Sequence, residues 1–495
     1  MSTRTTSPNT SNAQLFSGSS NMVSNPMNEQ SYDDEEQDEV LDSASETSTT
    51  INDHEPFETL QHKIAEIAGQ LAPGTIEVTR MESGGFHRIV GVTISLPPKK
   101  WSLAWIAVCI DLHIKLPTWV RSLFARFKII DTNAENSKKY IFRIPHNGEG
   151  NAYSMEHDVA THAFARTHLD LPVPDVVTFD STSDNVIKSS YMVQERLPGE
   201  NLQLVWTELT HAQRLSVMRR IIELMSQMQG LTSDIPGVIA PQNDASATNK
   251  FPIDGIANEV RHMRDFPTSP NKPQTTFELL IFLCESRIEW DKANPHSDFV
   301  APHLWKMHKM IRTLHDLGFL PDDEKFHFAH LDLYPRNILV TVPEDGSDSD
   351  CVDITGVLDW DATFTYFVPA FMAYRSPFWA WNTGKDSTEA ETKESLAWQD
   401  PDTEENKDMK KLFEELASDQ WKRYAFTPEY ALARRMYNYL RLGYQSNQDE
   451  EEAEKIVRDW NNLHHQAFLS DSFLMTGYDE GFYSGSDEDD SEDDE

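Results

Sequence analysis

One stretch of the chain carries residue types whose spacing can do chemistry. His330, Asp332 and Asn337 stand two and five positions apart in HLDLYPRNILV, which runs into an apolar strand. A polar turn at 343–350 leads to a second apolar strand, ITGVL, and that strand ends in Asp359-Trp360-Asp361. A hairpin of this kind presents Asp332, Asn337 and Asp359 near one edge. Phosphoryl transfer uses such a set. One carboxylate accepts or orients the acceptor hydroxyl, while an amide oxygen and a second carboxylate hold Mg²⁺ against the phosphates. Pro335 stiffens the loop, and His330 is expected to orient it through hydrogen bonds. Asp-x-x-x-x-Asn alone is almost uninformative; the full order of His, Asp, Asn, strand, turn, strand and Asp is specific.

The elements around this stretch fall into two kinds. Phe57–Leu71 has the spacing of a short amphipathic helix closed by Pro73-Gly74. Strands are expected at 75–80 and 89–96, joined by a glycine turn at 82–87, and again at 139–145, where Arg143 sits in the middle of IFRIP. A helix is expected over 153–168 with Met155, Val159 and Ala163 on its apolar side, followed by strands at 176–179 and 191–197. Beyond the Pro198-Gly199 turn the pattern is helical. Leu215, Met218, Ile222, Met225 and Met228 line one face, and Leu304, Met307, Ile311 and Leu314 line another that Gly318 ends. His303, His308 and His315 lack the i, i+4 spacing that sets two metal ligands on one helix face.

Composition narrows the function classes. The 495 residues carry 43 basic and 81 acidic side chains, a formal charge of −38. That balance argues against binding duplex DNA or RNA and against docking on an anionic membrane by charge. Residues 1–55 and 479–495 each carry a net −10, leaving −18 between them. Both ends are poor in apolar residues and are expected to be disordered acidic tails. Ser486 and Ser491 are each followed by an acidic residue, so the tails are available to acid-directed kinases or protein partners. Cys109, Cys284 and Cys351 form no disulfide framework and no zinc spacing, which points to a reducing, cytoplasmic compartment. The N-terminus has no apolar signal core, and no apolar run reaches the ~18 residues of a membrane span.

HLDLYPRNILV followed by ITGVLDWD resembles the aminoglycoside phosphotransferase/choline kinase-like family, particularly its fungal branch. ESGGFHRIVGV, YIFRIP, MEHDVATHAFARTHLDLPVPDVVTFD, YMVQERLPGENL and VPAFMAYRSPFWAW extend the resemblance over residues 57–96 and 139–445. It implies an α+β, bilobal, protein-kinase-like fold: a small β-rich N-lobe at 56–197 and a large helical C-lobe at 198–470, with tails at 1–55 and 471–495. It also implies ATP and Mg²⁺ as cofactors and a small-molecule hydroxyl as acceptor. Carried over by position, Asp332 is the catalytic base, Asn337 and Asp359 are Mg²⁺ ligands, and Arg143 is the phosphate-pairing cation with Glu156 as its partner. Ser83, Gly84 and Gly85 cover the phosphates, and backbone groups near Glu195 and Leu197 hold adenine.

Four departures qualify it, one being Asp361 where many relatives have Glu. Arg143 stands where better-known members have Lys, which keeps the charge but not the shape. The glycine turn is minimal. Tyr334 stands where the loop commonly has His. Arg143, the sparse glycine turn and the acidic tails support an alternative: a catalytically weak or inactive, nucleotide-binding pseudokinase-like interaction protein. A protein kinase is disfavoured by Trp360-Asp361 after Asp359 and by the lack of an Ala-Pro-Glu landmark. Residues 97–138, rich in Trp and Ile, are expected to be an insertion between two small-lobe strands, where connections usually run about 4–6 residues. They read equally as an amphipathic helix pair for a partner or a membrane surface, or as non-native sequence. A neutral or cationic acceptor is expected beside Asp332; Asp361 would add charge near it or simply cap a turn, and the aromatic run Tyr366, Tyr374, Phe378, Trp379 and Trp381 reads either as facing that acceptor or as packing the helical lobe.

Overall fold

A computed structural model describes residues 55–81, 86–96, 137–146, 153–241, 251–257, 268–293, 300–343, 351–382, 397–443 and 447–470. The tails, Ser83, Gly84 and Gly85, and all but the last two residues of the 97–138 segment lie outside the described residues. Glu55, assigned to the tail from sequence, belongs to the folded part. Its carboxylate pairs with Lys63 at 2.8 Å and its carbonyl accepts from Arg88 at 2.6 Å.

Helix α1 (Phe57–Leu71) buries Leu60, Ile64, Ile67 and Ala68, the i, i+4, i+7, i+8 stripe of an amphipathic helix. The stripe packs on a sheet of strands β1 (Thr75–Arg80), β2 (His87–Ser95), β3 (Ser137–Pro145), β4 (Val176–Asp180) and β5 (Tyr191–Glu195). Their spatial order is β1-β2-β3-β5-β4, antiparallel throughout. β2 and β3 pair without a break from His87↔Pro145 to Ser95↔Ser137. Val90, Val92, Ile94, Phe142, Ile144 and Val193 form the small lobe's core with α1. Each such burial contributes about 1.5–3 kcal/mol before entropy is counted. Helix α2 (Met155–His168) lies between β3 and β4 in sequence.

The chain leaves the sheet at Pro198-Gly199, where Gly199 adopts φ +109 and a Cβ would meet the Val340 carbonyl oxygen at 2.8 Å. The rest is mainly helical. Helix α3 (His211–Gln229) starts at a Thr210–Gln213 capping box and buries Met218, Ile222, Met225 and Met228, as expected. Helices α4 (Thr276–Ala293), α5 (Val300–Asp316) and α6 (Pro428–Leu442) share the same core. Gly318, at φ +78, ends α5.

Two short ladders position the chemistry. Strand β6 (Phe326–His330) pairs antiparallel with β9 (Thr365–Val368), and β7 (Ile338–Thr341) with β8 (Asp353–Val357). The loops 331–337 and 358–364 are therefore each held at one end by the first ladder and at the other by the second. Leu331 N–H donates to Phe364 O at 2.7 Å and Leu358 N–H to Asn337 O at 2.8 Å, which extends both clamps into the loops. Among the described residues no helix is long and apolar enough to cross a membrane.

Candidate active site

The 331–337 loop folds around Asp332. Asn337 Nδ2 donates to the Asp332 backbone oxygen at 2.9 Å and to its Oδ2 at 2.7 Å. The other carboxylate oxygen accepts from Arg336. Two donors thus fix the rotamer of Asp332, whose side chain stays 20 % exposed. Because Asn337 spends its amide nitrogen on Asp332, its amide oxygen is the atom left to face a cation. His330 does what its position suggested. Its Nε2 donates to Leu358 O at 2.9 Å, and its ring meets Trp360 edge-on at 5.1 Å. Burial lowers its pKa, so the ring is a neutral brace between the two loops.

Asp359 follows β8 with φ +64, a left-handed conformation that Asp tolerates better than most residues. Its side chain is 27 % exposed. Arg143, from the middle of β3, reaches this loop from the small lobe. One nitrogen, Nη2, donates to Asp359 Oδ1 at 2.6 Å and to Asp361 Oδ2 at 2.7 Å. His87 Nδ1 accepts from the same nitrogen at 3.2 Å. Burial opposes the charge of Arg143, but Asp361 and then Asp359 hold its pKa above the usual value. Burial, then Arg143, lowers the pKa of His87 to about 3, so His87 is neutral. Burial and the neighbouring Asp361 raise Asp359.

The partner expected for Arg143 from sequence was Glu156, and that pairing is not made. Helix α2 buries Met155, Asp158, Thr161, His162 and Ala165. Glu156, two residues from Asp158, points about 200° round the helix from it. Ser154 and Ser181 bond its carboxyl and lower its pKa. The inward carboxylate is Asp158, which accepts from Ala362 N–H at 2.8 Å and so ties α2 to the Asp359–Asp361 loop. Burial, then Asp361, raises its pKa well above the carboxylate range. The apolar stripe read from Met155, Val159 and Ala163 is shifted for the same reason: Ala163 is exposed. The true stripe carries polar residues, which hid it.

Two further readings are decided. Asp361 does not extend toward an acceptor, since it is 7 % exposed and bound to Arg143. The aromatics after it follow the packing reading rather than the acceptor one. Tyr366, Phe378 and Trp381 are buried in the large core; Tyr374 packs on Tyr424, and Trp379 on Trp206. At the lobe crossover, the Glu195 amide donates to Asp175 O at 2.9 Å, while Leu197 is half-buried beside Gly356. Phe86, the first described residue after the glycine turn, meets Phe364 at 5.7 Å, close to the Asp359–Asp361 loop.

The phosphotransferase enzyme family model matches residues 122–366, which span β3, both chemical loops and the start of β9. That part of the chain belongs to the phosphotransferase enzyme family. A subtelomeric hrmA-associated cluster protein of Aspergillus fumigatus is 32% identical over 127 residues, 26% of this chain and 25% of that protein. Altered inheritance of mitochondria protein 9 of Candida albicans is 25% identical over 188 residues, 34% of this chain and 29% of that protein. The matches span about a quarter of the length of these curated relatives. Among solved structures, aminoglycoside phosphotransferase APH(4)-Ia aligns over 81% of this chain and 99% of its own, with a TM-score of 0.40 and 14% identity. Plasmodium vivax ethanolamine kinase aligns over 81% and 87%, with a TM-score of 0.40 and 9% identity. Likenesses this distant carry no functional argument. The β-rich small lobe and helical large lobe are those of the bilobal, kinase-like architecture, and a phosphotransferase acting on a small molecule fits the family match.

Proposed function

We propose that the chain transfers the γ-phosphoryl group of ATP to a hydroxyl of a small molecule. The observation that carries this reading is the junction of Arg143 with Asp359, beside a loop in which Asn337 fixes Asp332. A small-lobe cation and three large-lobe polar groups meet there, the set that phosphoryl transfer to a hydroxyl requires.

In this reading Asp332 accepts the proton of the acceptor hydroxyl, whose oxygen forms the new bond to phosphorus. The bond to the bridging oxygen breaks and its electron pair leaves with ADP. Asn337 and Asp359 supply hard oxygen donors that suit Mg²⁺. Asp359 fits the role because part of its carboxylate is exposed and only Oδ1 is engaged by Arg143. The ion would neutralise phosphate charge and fix its geometry. Leu197 and its backbone are the candidate contact for adenine, and Ser83, Gly84 and Gly85 the candidate cover for the phosphates. The division at 197/198 then separates a nucleotide lobe from a catalytic and acceptor lobe. Cysteine usage supports a cytoplasmic site of action.

The alternative is a nucleotide-binding protein with little turnover. Its specific support is that Arg143 already engages Asp359. Incubating a small-molecule extract with labelled ATP and Mg²⁺ separates the two. Wild type should label an acceptor and Asp332→Ala should not; equal labelling by both would sink the assignment of Asp332.

A further inference from the structure

We infer that Asp361 is the positioning residue that holds Arg143 over the nucleotide, a role that leaves Glu156 outside the phosphate contact. The inference rests on the phosphotransferase reading. Arg143 gives one nitrogen to two carboxylates that are not equivalent. Asp359 is 27 % exposed at its side chain and is the proposed metal donor, so nucleotide binding draws it toward the metal. Asp361 is 9 % exposed at its side chain and keeps Arg143 at 2.7 Å when Asp359 turns away. Its other oxygen, Oδ1, is buried and has no hydrogen-bond partner among the described residues. That oxygen can take a second guanidinium N–H once Arg143 gives up Asp359, turning a shared contact into a forked one.

Three neighbours fix Asp361 for this task. Asp158 accepts from Ala362 N–H at 2.8 Å, so α2 anchors the backbone next to Asp361 rather than offering its own carboxylate to Arg143. Thr365 N–H and Phe364 N–H both donate to the Asp361 backbone oxygen, at 2.9 and 3.0 Å, which starts the turn into β9. The brace for the small-lobe cation thus comes from the large lobe. Its position depends on the 358–364 loop and on the ladders at its ends.

The test uses the full chain with ATP turnover and a fluorescent ATP analogue. Asp361→Asn should raise the KM for ATP at least tenfold and hold kcat within threefold, and should raise it much more than Glu156→Gln does. In an Arg143→Gln background, Asp361→Asn should add little to the KM. This second comparison holds even if the single Asp361 variant folds poorly, because the double variant removes the buried Arg143 and Asp361 charges together and leaves only the partly exposed Asp359 without its partner. A full tenfold effect of Asp361→Asn without Arg143, or a larger effect from Glu156→Gln, overturns the inference. In both cases wild type still binds and turns over ATP, so the phosphotransferase reading stands. Wild type that binds no ATP analogue and turns over no ATP would defeat that reading, and this inference with it.

Discussion

Arg143 Nη2 lies 2.7 Å from Asp361 Oδ2, and both side chains are more than nine-tenths buried. An ion pair in that setting is costly to break from one side, because the remaining charge is stranded. Arg143→Met should lower the unfolding free energy by about 3–5 kcal/mol. Arg143→Lys should lose less, since it keeps the charge but cannot fork. Urea unfolding followed by circular dichroism measures both, and equal losses would show that guanidinium geometry does not matter here.

Asp332 is held by Asn337 on one oxygen and by Arg336 on the other, and among the described residues it makes no hydrogen bond to Arg143. Asp332→Asn should therefore reduce kcat by about 10²–10⁴-fold, the usual weight of a general base. ATP-analogue affinity should stay within twofold. A parallel loss of nucleotide affinity would move Asp332 into the binding set.

Asp158 gives a test of buried charge. Its pKa is raised well above the carboxylate range, by burial first and Asp361 second. The folded state therefore binds a proton that the unfolded chain releases, and stability falls as pH rises above the unfolded pKa. Asp158→Asn keeps an acceptor for the Ala362 amide without the charge. It should match or exceed wild-type stability at pH 8. Asp158→Ala leaves that amide unsatisfied and should cost about 1–3 kcal/mol.

Glu324 makes a second pH-sensitive site. Burial raises its pKa to about 7 from the ordinary carboxylate value, and Tyr424 donates to its Oε1. Between the unfolded pKa, near 4.5, and about 7 the folded state holds the extra proton, so stability declines across this window as pH rises and levels off above it. Glu324→Gln should flatten that part of the profile, by up to about 3 kcal/mol over the window. Melting temperatures from pH 4 to 8 would show it.

What was legible in the sequence was local. Asp332 and Asn337 sit within one loop, and the strands at 338 and 354 carry Asp359 to the same edge, so spacing alone placed the three near each other. His330 was legible for the same reason. Long-range pairing was not. Arg143 stands out in the sequence as a cation within the apolar run IFRIP, but its partner depends on how α2 is rotated. The α2 stripe runs through Asp158, Thr161 and His162, which an apolar count passes over. His87 was read only as the end of a turn, although it is buried against Arg143. The aromatic run after Asp361 was real, but sequence could not say whether it faced a ligand or the core, and the large lobe's volume took it.

The ladder between β2 and β3 closes at Ser95 and Ser137, directly opposite each other, although 41 residues separate them in the chain. Neighbouring strands lie about 5 Å apart, so both anchors of that excursion sit at one spot on the sheet's rim. The segment is topologically a detachable cassette. Replacing it with a four-residue hairpin turn removes about 2 kcal/mol of closure entropy and leaves every described strand pair intact. A shortened chain of this kind would separate what the kinase-like core does by itself from whatever the cassette adds.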